Sequence, residues 1–149
     1  MENHSQRAAR LFREGYNCAQ SVFVAYCDRT GLDEQTALRL SASFGGGMGR
    51  LREVCGAMSG ALMVLGMLRA PLDPNDRTAK ASHYERVQEF ARRFHERHGT
   101  YICRELLGDQ AGSGHVPDAR TEAYYQSRPC ERLVADAAEI LDQMLAEDA

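Results

Sequence analysis

The 149 residues of this chain, 44% apolar and 26% charged, are enough to bury about two thirds of the unfolded surface without disulfide or metal staples. A net charge of −3, with 17 arginines and the single Lys80 spread among acids instead of gathered in a block, argues against a nucleic-acid partner and reads as a compositional bias. No segment reaches the ~18 apolar residues of a membrane span, and Met1-Glu2-Asn3-His4-Ser5 has no apolar signal core, so a cytoplasmic protein with no membrane partner is expected.

Read in order, the chain alternates apolar stripes at helical spacing with glycine and proline stops. Residues 5–14 place Ala8, Leu11 and Phe12 on one side, and Gly15 closes that segment. Asn17 is a good cap for a second helix from Cys18 to about Arg29, with Val22, Ala25 and Tyr26 on one face. Asp33 caps a third over 34–43. There follows a glycine-rich loop, Phe44-Gly45-Gly46-Gly47-Met48-Gly49, whose glycines can take positive φ, turn backbone N–H groups inward and let other groups come close. Residues 55–69 are apolar on nearly every face, with small residues that permit close neighbours, which suits the middle of a bundle. Met48, Met58, Met63 and Met67 are expected in the core. Pro71 and Pro74 end this segment.

Residues 75–98 form the longest expected helix, with Tyr84, Val87, Phe90, Ala91 and Phe94 inward and Gly99 as its stop. Thr100 caps a short helix over 101–107. Residues 108–128 are irregular apart from a turn of helix within 119–125. Pro129 opens a last helix that runs to about Ala146. No alternating strand pattern and no repeat occurs. The expected fold is therefore all-α, one domain over 1–149, a compact bundle of about five to seven helices around the apolar segment 55–69.

Four of the five cysteines, Cys18, Cys55, Cys103 and Cys130, fall in the first turn of an expected helix, where the dipole end favours a thiolate. Cys27 sits on a helix body, half a turn away from Cys18, and reads as packing. No Cys-x-x-Cys pair occurs, so spacing alone selects no chemistry. Three readings stay open. Cys55 is a reactive thiolate resolved by a second cysteine such as Cys18; or all four cysteines ligate a metal or iron–sulfur cluster; or they are buried hydrophobes of a non-catalytic helical scaffold.

The segments Gly15-Tyr16-Asn17-Cys18-Ala19-Gln20-Ser21-Val22, Phe44-Gly45-Gly46-Gly47-Met48-Gly49, Val54-Cys55-Gly56-Ala57-Met58-Ser59-Gly60-Ala61, Cys103-Arg104-Glu105-Leu106-Leu107-Gly108 and Pro129-Cys130 carry a resemblance in their order along nearly the whole chain. Together they resemble the C_GCAxxG_C_C family of redox proteins. The resemblance implies that Cys18, Cys55, Cys103 and Cys130 are the functional cysteines and that Cys27 is outside the pattern. A similar domain occurs in split-Soret cytochrome c, but no Cys-x-x-Cys-His is present here to attach haem.

The leading expectation is a thiol redox or electron-transfer protein in which Cys55 is the most activated thiol, Cys18 its partner, and Cys103 with Cys130 a second pair. Gly45, Gly46, Gly47, Gly49 and Gly56 are expected around whatever approaches Cys55. The partner would be a redox protein or a small-molecule oxidant or reductant, with a homo-oligomer left open. The glycine loop lacks the Lys-Ser/Thr of a nucleotide loop. His95 and His98 read as a solvated face, and His115 as a base within reach of Cys103 or Cys130.

Overall fold

Capping chemistry sets most of the element boundaries in the computed structural model, which describes residues 1–148. Among the described residues nine right-handed α-helices form: α1 (His4–Arg13), α2 (Cys18–Ala25), α3 (Cys27–Thr30), α4 (Glu34–Ser41), α5 (Gly56–Arg69), α6 (Arg77–His98), α7 (Cys103–Leu107), α8 (Glu122–Ser127) and α9 (Cys130–Glu147). Asn3 and Asn17 each accept a hydrogen bond from the third residue of the helix they open, and Gln6 and Gln20 return one to the cap backbone. Asp33, Asp76 and Thr121 cap α4, α6 and α8 in the same way, without the return bond.

The all-α expectation holds, with no strand among the described residues. The centre is shared: α2 and α5 lie side by side, α1 and α9 pack on α2, and α6 covers the other side of α5 and α9. The apolar face of α9 supplies Leu133, Val134, Ala137, Ala138, Ile140, Leu141, Met144 and Leu145 to this core. Gly60 allows the contact between α2 and α5, since a Cβ there would fall 2.6 Å from the Ala19 carbonyl oxygen.

Three expectations are corrected. The helix expected through to Arg29 breaks at Tyr26 (φ −103°, ψ 15°). At the break sits a polar cluster around the buried Tyr26: its hydroxyl reaches the Ala138 carbonyl at 2.9 Å and Asp142 Oδ1 at 2.7 Å, and its ring stacks on His4 at 4.0 Å. Tyr84, expected inward, is exposed because the first half of α6 extends beyond the helices that cover Phe90 and Phe94. Met48 and Met67, expected in the core, are 42% and 49% exposed. Met67 lies at the outer end of α5 and Met48 on the outside of a left-handed turn. Among the described residues no helix is long and apolar enough to cross a membrane.

Candidate functional site

Cys18, Cys103 and Cys130 are the first residues of α2, α7 and α9, and Cys55 is the N-cap residue of α5. Periodicity located all four at helix starts, but what joins them is not helical. Residues 52–55 run antiparallel to 101–104 through a single bridge, Val54 to Ile102. The Cys55 N–H donates to the Tyr101 carbonyl at 2.8 Å, the Cys103 N–H to the Glu53 carbonyl at 2.6 Å, and the Arg104 N–H to the Arg52 carbonyl at 3.2 Å. These bonds hold the start of α7 against the start of α5.

The glycine segment closes the assembly from one side. Gly46, Gly47, Met48, Gly49 and Arg50 all have φ between 61° and 71°, a run of left-handed residues, and Arg52 follows at φ 62°. Three of these positions carry side chains, which is strained backbone costing roughly 1–2 kcal/mol each. The N–H groups of Arg52 and Glu53 bond back to the Gly46 and Gly47 carbonyls at 3.2 and 2.9 Å. They are spent inside the turn and do not form an anion cradle. What the turn provides is proximity. A Cβ on Gly47 would lie 2.7 Å from the Cys103 Cβ and 2.8 Å from the Arg52 Cα. One on Gly56 would lie 3.0 Å from the Ala19 nitrogen and 3.2 Å from the Cys18 Cβ.

The four cysteines consequently line one cavity of about 60 Å³, together with Gly46, Gly47, Gly56 and Arg52. Arg120, Tyr124 and Arg128 form its outer wall and separate it from a neighbouring pocket of about 250 Å³ that Gly45, Gly46 and Gly49 border. Gly45 packs directly on Asn17, the cap of α2. His115 lines the outer pocket and not the cysteine cavity. Cys27 is also outside the cavity. All five cysteines are free thiols. Among the described residues no group of three or more His, Cys, Asp or Glu stands close enough to hold a metal ion.

Electrostatics separate the four thiols. The neighbouring Cys130 sulfur pushes Cys18 well above the ordinary thiol value, with burial adding to the rise. Proximity to Cys18 lowers Cys130 to about 7 against its burial, helped by the Arg128, Arg120 and Arg52 guanidinium groups. Cys55 behaves in the opposite way to its expected role. Burial pushes it up to about 12, and the Ala57 and Met58 amides oppose that rise only in part, closing no capping bond on the sulfur. A helix start lowers a thiol less where the sulfur is buried, and Cys55 is 3% exposed with no arginine among the causes that shift it. Burial raises Cys27 as well.

Sequence reasoning did not find Arg52, Arg120 and Arg128. Arg52 is 7% exposed, and its Nη1 donates to the Cys103 sulfur at 3.7 Å. Arg120 donates to the carbonyls of Phe12 at 2.9 Å and Tyr16 at 3.0 Å and lies 4.2 Å over the Phe12 ring. Arg128 lies 4.9 Å over the Tyr124 ring. In a chain with so many arginines, nothing local marks these three. Their one sequence signal is that Arg52 lies three residues before Cys55, and Arg128 two before Cys130. A family model described as "Putative redox-active protein (C_GCAxxG_C_C)" matches residues 16–144. No curated protein and no solved structure matches the chain.

Proposed function

The chain belongs to the C_GCAxxG_C_C family, and on that premise we propose that it is a dithiol redox protein in which Cys130 is the attacking thiolate and Cys18 the resolving thiol. The observation that supports this reading is that Cys18 and Cys130 line the same cavity beside Arg52, Arg120 and Arg128, with Cys130 pushed down and Cys18 pushed up by their proximity. An attacking thiol is most effective when its pKa lies near the ambient pH, and Cys130 is lowered toward it. This differs from the expected pairings of Cys55 with Cys18 and Cys103 with Cys130. Cys55 and Cys103 become the second couple on the same cavity.

The exchange balances as follows. Cys130 attacks one sulfur of a partner disulfide, forming a mixed disulfide and releasing the other partner sulfur as a thiolate. Cys18 gives up its proton and attacks the Cys130 sulfur, which expels the second partner thiolate and leaves a Cys18–Cys130 disulfide. Two electrons pass from the protein dithiol to the partner disulfide, and the reverse sequence oxidises a partner dithiol. The partner is a redox protein or a small-molecule disulfide, and free thiols of this kind suit a reducing cytoplasm.

The test is oxidation of the purified protein with diamide, followed by peptide mapping without reductant. A peptide linking Cys18 to Cys130 is expected, reversible with dithiothreitol and missing from Cys18→Ser and Cys130→Ser. A map in which Cys130 stays free while Cys55 is linked to Cys18 would return the attacking role to Cys55 and overturn the assignment.

A further inference from the structure

We propose that the arginine-lined pocket beside the cysteine cavity is an anion-binding site, built to hold the oxyanion group of the molecule the thiols act upon. The Asp118 carboxylate occupies that position from within the chain. The proposal rests on the thiol reading for the identity of what binds, but not for the existence of the site.

The first observation is Arg52. Its side chain is more than nine-tenths buried, and its Nε and Nη2 have no hydrogen-bond partner. Nη2 is 3.9 Å from Asp118 Oδ2, too far for a hydrogen bond, and the remaining contact is the 3.7 Å bond from Nη1 to the Cys103 sulfur. A buried guanidinium with two donors unused is costly unless something supplies acceptors and counter-charge. It faces both the cysteine cavity and the outer pocket.

The second observation is the company Arg52 keeps. Arg50, Arg120 and Arg128 line the same outer pocket with His115, and Asp118 is the one carboxylate opposite them. A single oxygen, Asp118 Oδ2, lies 2.8 Å from Arg128 and 3.2 Å from Arg50 as well as 3.9 Å from Arg52. Four guanidinium groups against one carboxylate leave a positive pocket, and a planar fork of donors is the geometry that suits carboxylate, phosphate or sulfate oxygens. Asp118 itself is 41% exposed on the irregular segment before α8, so its carboxylate can leave without disturbing the core. Arg120 contributes charge but few free donors, since it is spent on the Phe12 and Tyr16 carbonyls. The pocket of about 250 Å³ admits a small oxyanion or an anionic group at the end of a larger molecule, and shares Arg52, Arg120, Tyr124 and Arg128 with the lining of the cysteine cavity.

Calorimetric titration of the reduced protein with inorganic phosphate and, separately, with phenyl phosphate tests this. Wild-type protein is expected to bind at millimolar concentration or below. Arg52→Gln should weaken binding about tenfold or more by removing the buried fork, and Asp118→Asn should tighten it about threefold by removing the internal competitor. Binding of inorganic phosphate alone points to a free oxyanion, and binding of both to an anionic group on an organic molecule; either supports the site. The Asp118→Asn protein tests it even where Arg52→Gln does not fold, because a merely structural Asp118 would give no gain in affinity. Absence of binding to both wild type and Asp118→Asn, unchanged binding by folded Arg52→Gln, or no tightening in Asp118→Asn overturns the proposal. Calorimetry involves no thiol turnover, so phosphate binding without a Cys18–Cys130 disulfide would sink the thiol reading and leave the site standing.

Discussion

The Cβ that any other residue would carry at position 47 falls 2.7 Å from the Cβ of Cys103. This contact, between a left-handed turn and a helix start far away in the chain, brings the wall of the cysteine cavity together. Gly47→Ala is expected to lose about 2–4 kcal/mol, combining the left-handed φ of 69° with a clash against backbone that cannot move aside. Chemical denaturation would measure it. A loss below about 0.5 kcal/mol, the range of surface substitutions, would mean that the turn is not held against α7.

Cys130, lowered to about 7, should react with iodoacetamide at a rate that rises through that pH. At pH 7 about half of it is thiolate, against about 1% of a thiol that titrates at 9, while the lower basicity makes each thiolate less nucleophilic. Both sulfurs are buried, so the expectation is a relative one: Cys130 labels about fivefold or more faster than Cys55 on the same cavity. Mass spectrometry of quenched time points gives the rates site by site. Equal rates at Cys130 and Cys55 would remove the thiolate.

Cys55 gives a prediction on the alkaline side. Its pKa is raised to about 12 when folded, so the unfolded chain releases this proton first as pH climbs. Its contribution is fully present below the unfolded thiol value and is lost as pH rises toward about 12. Over that window wild-type stability should fall by about 1.4 kcal/mol per pH unit more steeply than that of Cys55→Ala. Urea midpoints taken across the range compare the two slopes, which isolates Cys55 from the tyrosines and Cys18 that titrate nearby. Parallel slopes would show that Cys55 has water access.

Tyr26→Phe removes the hydroxyl that meets Ala138 and Asp142 and leaves the His4 stack. The Ala138 carbonyl and Asp142, which keeps its bond to His4, lose this donor, and a loss of about 1 kcal/mol is expected. For a chain of this length that lowers Tm by roughly 3 °C, read by circular dichroism. An unchanged Tm would mean that the break between α2 and α3 has a cause other than this hydroxyl.

Helix starts were legible because caps are local. Asn17 next to Cys18, and Pro129 next to Cys130, mark boundaries without reference to the rest of the chain. The break at Tyr26 and the exposure of Tyr84 were not, because each depends on what distant residues do: Ala138 and Asp142 draw the first inward, and the bundle ends short of the second.

The sequence by itself determined an all-α chain and four cysteines at four helix starts, since both follow from short-range periodicity and capping. Which thiol carries charge was decided only in three dimensions. A thiol's pKa depends on what surrounds it, and the single bridge between Val54 and Ile102, the close approach at Gly47 and the guanidinium groups of Arg52, Arg120 and Arg128 are contacts between segments far apart in the chain. Burial raises Cys55, and the neighbouring Cys18 and the guanidinium groups lower Cys130, neither of which local position at a helix start reveals.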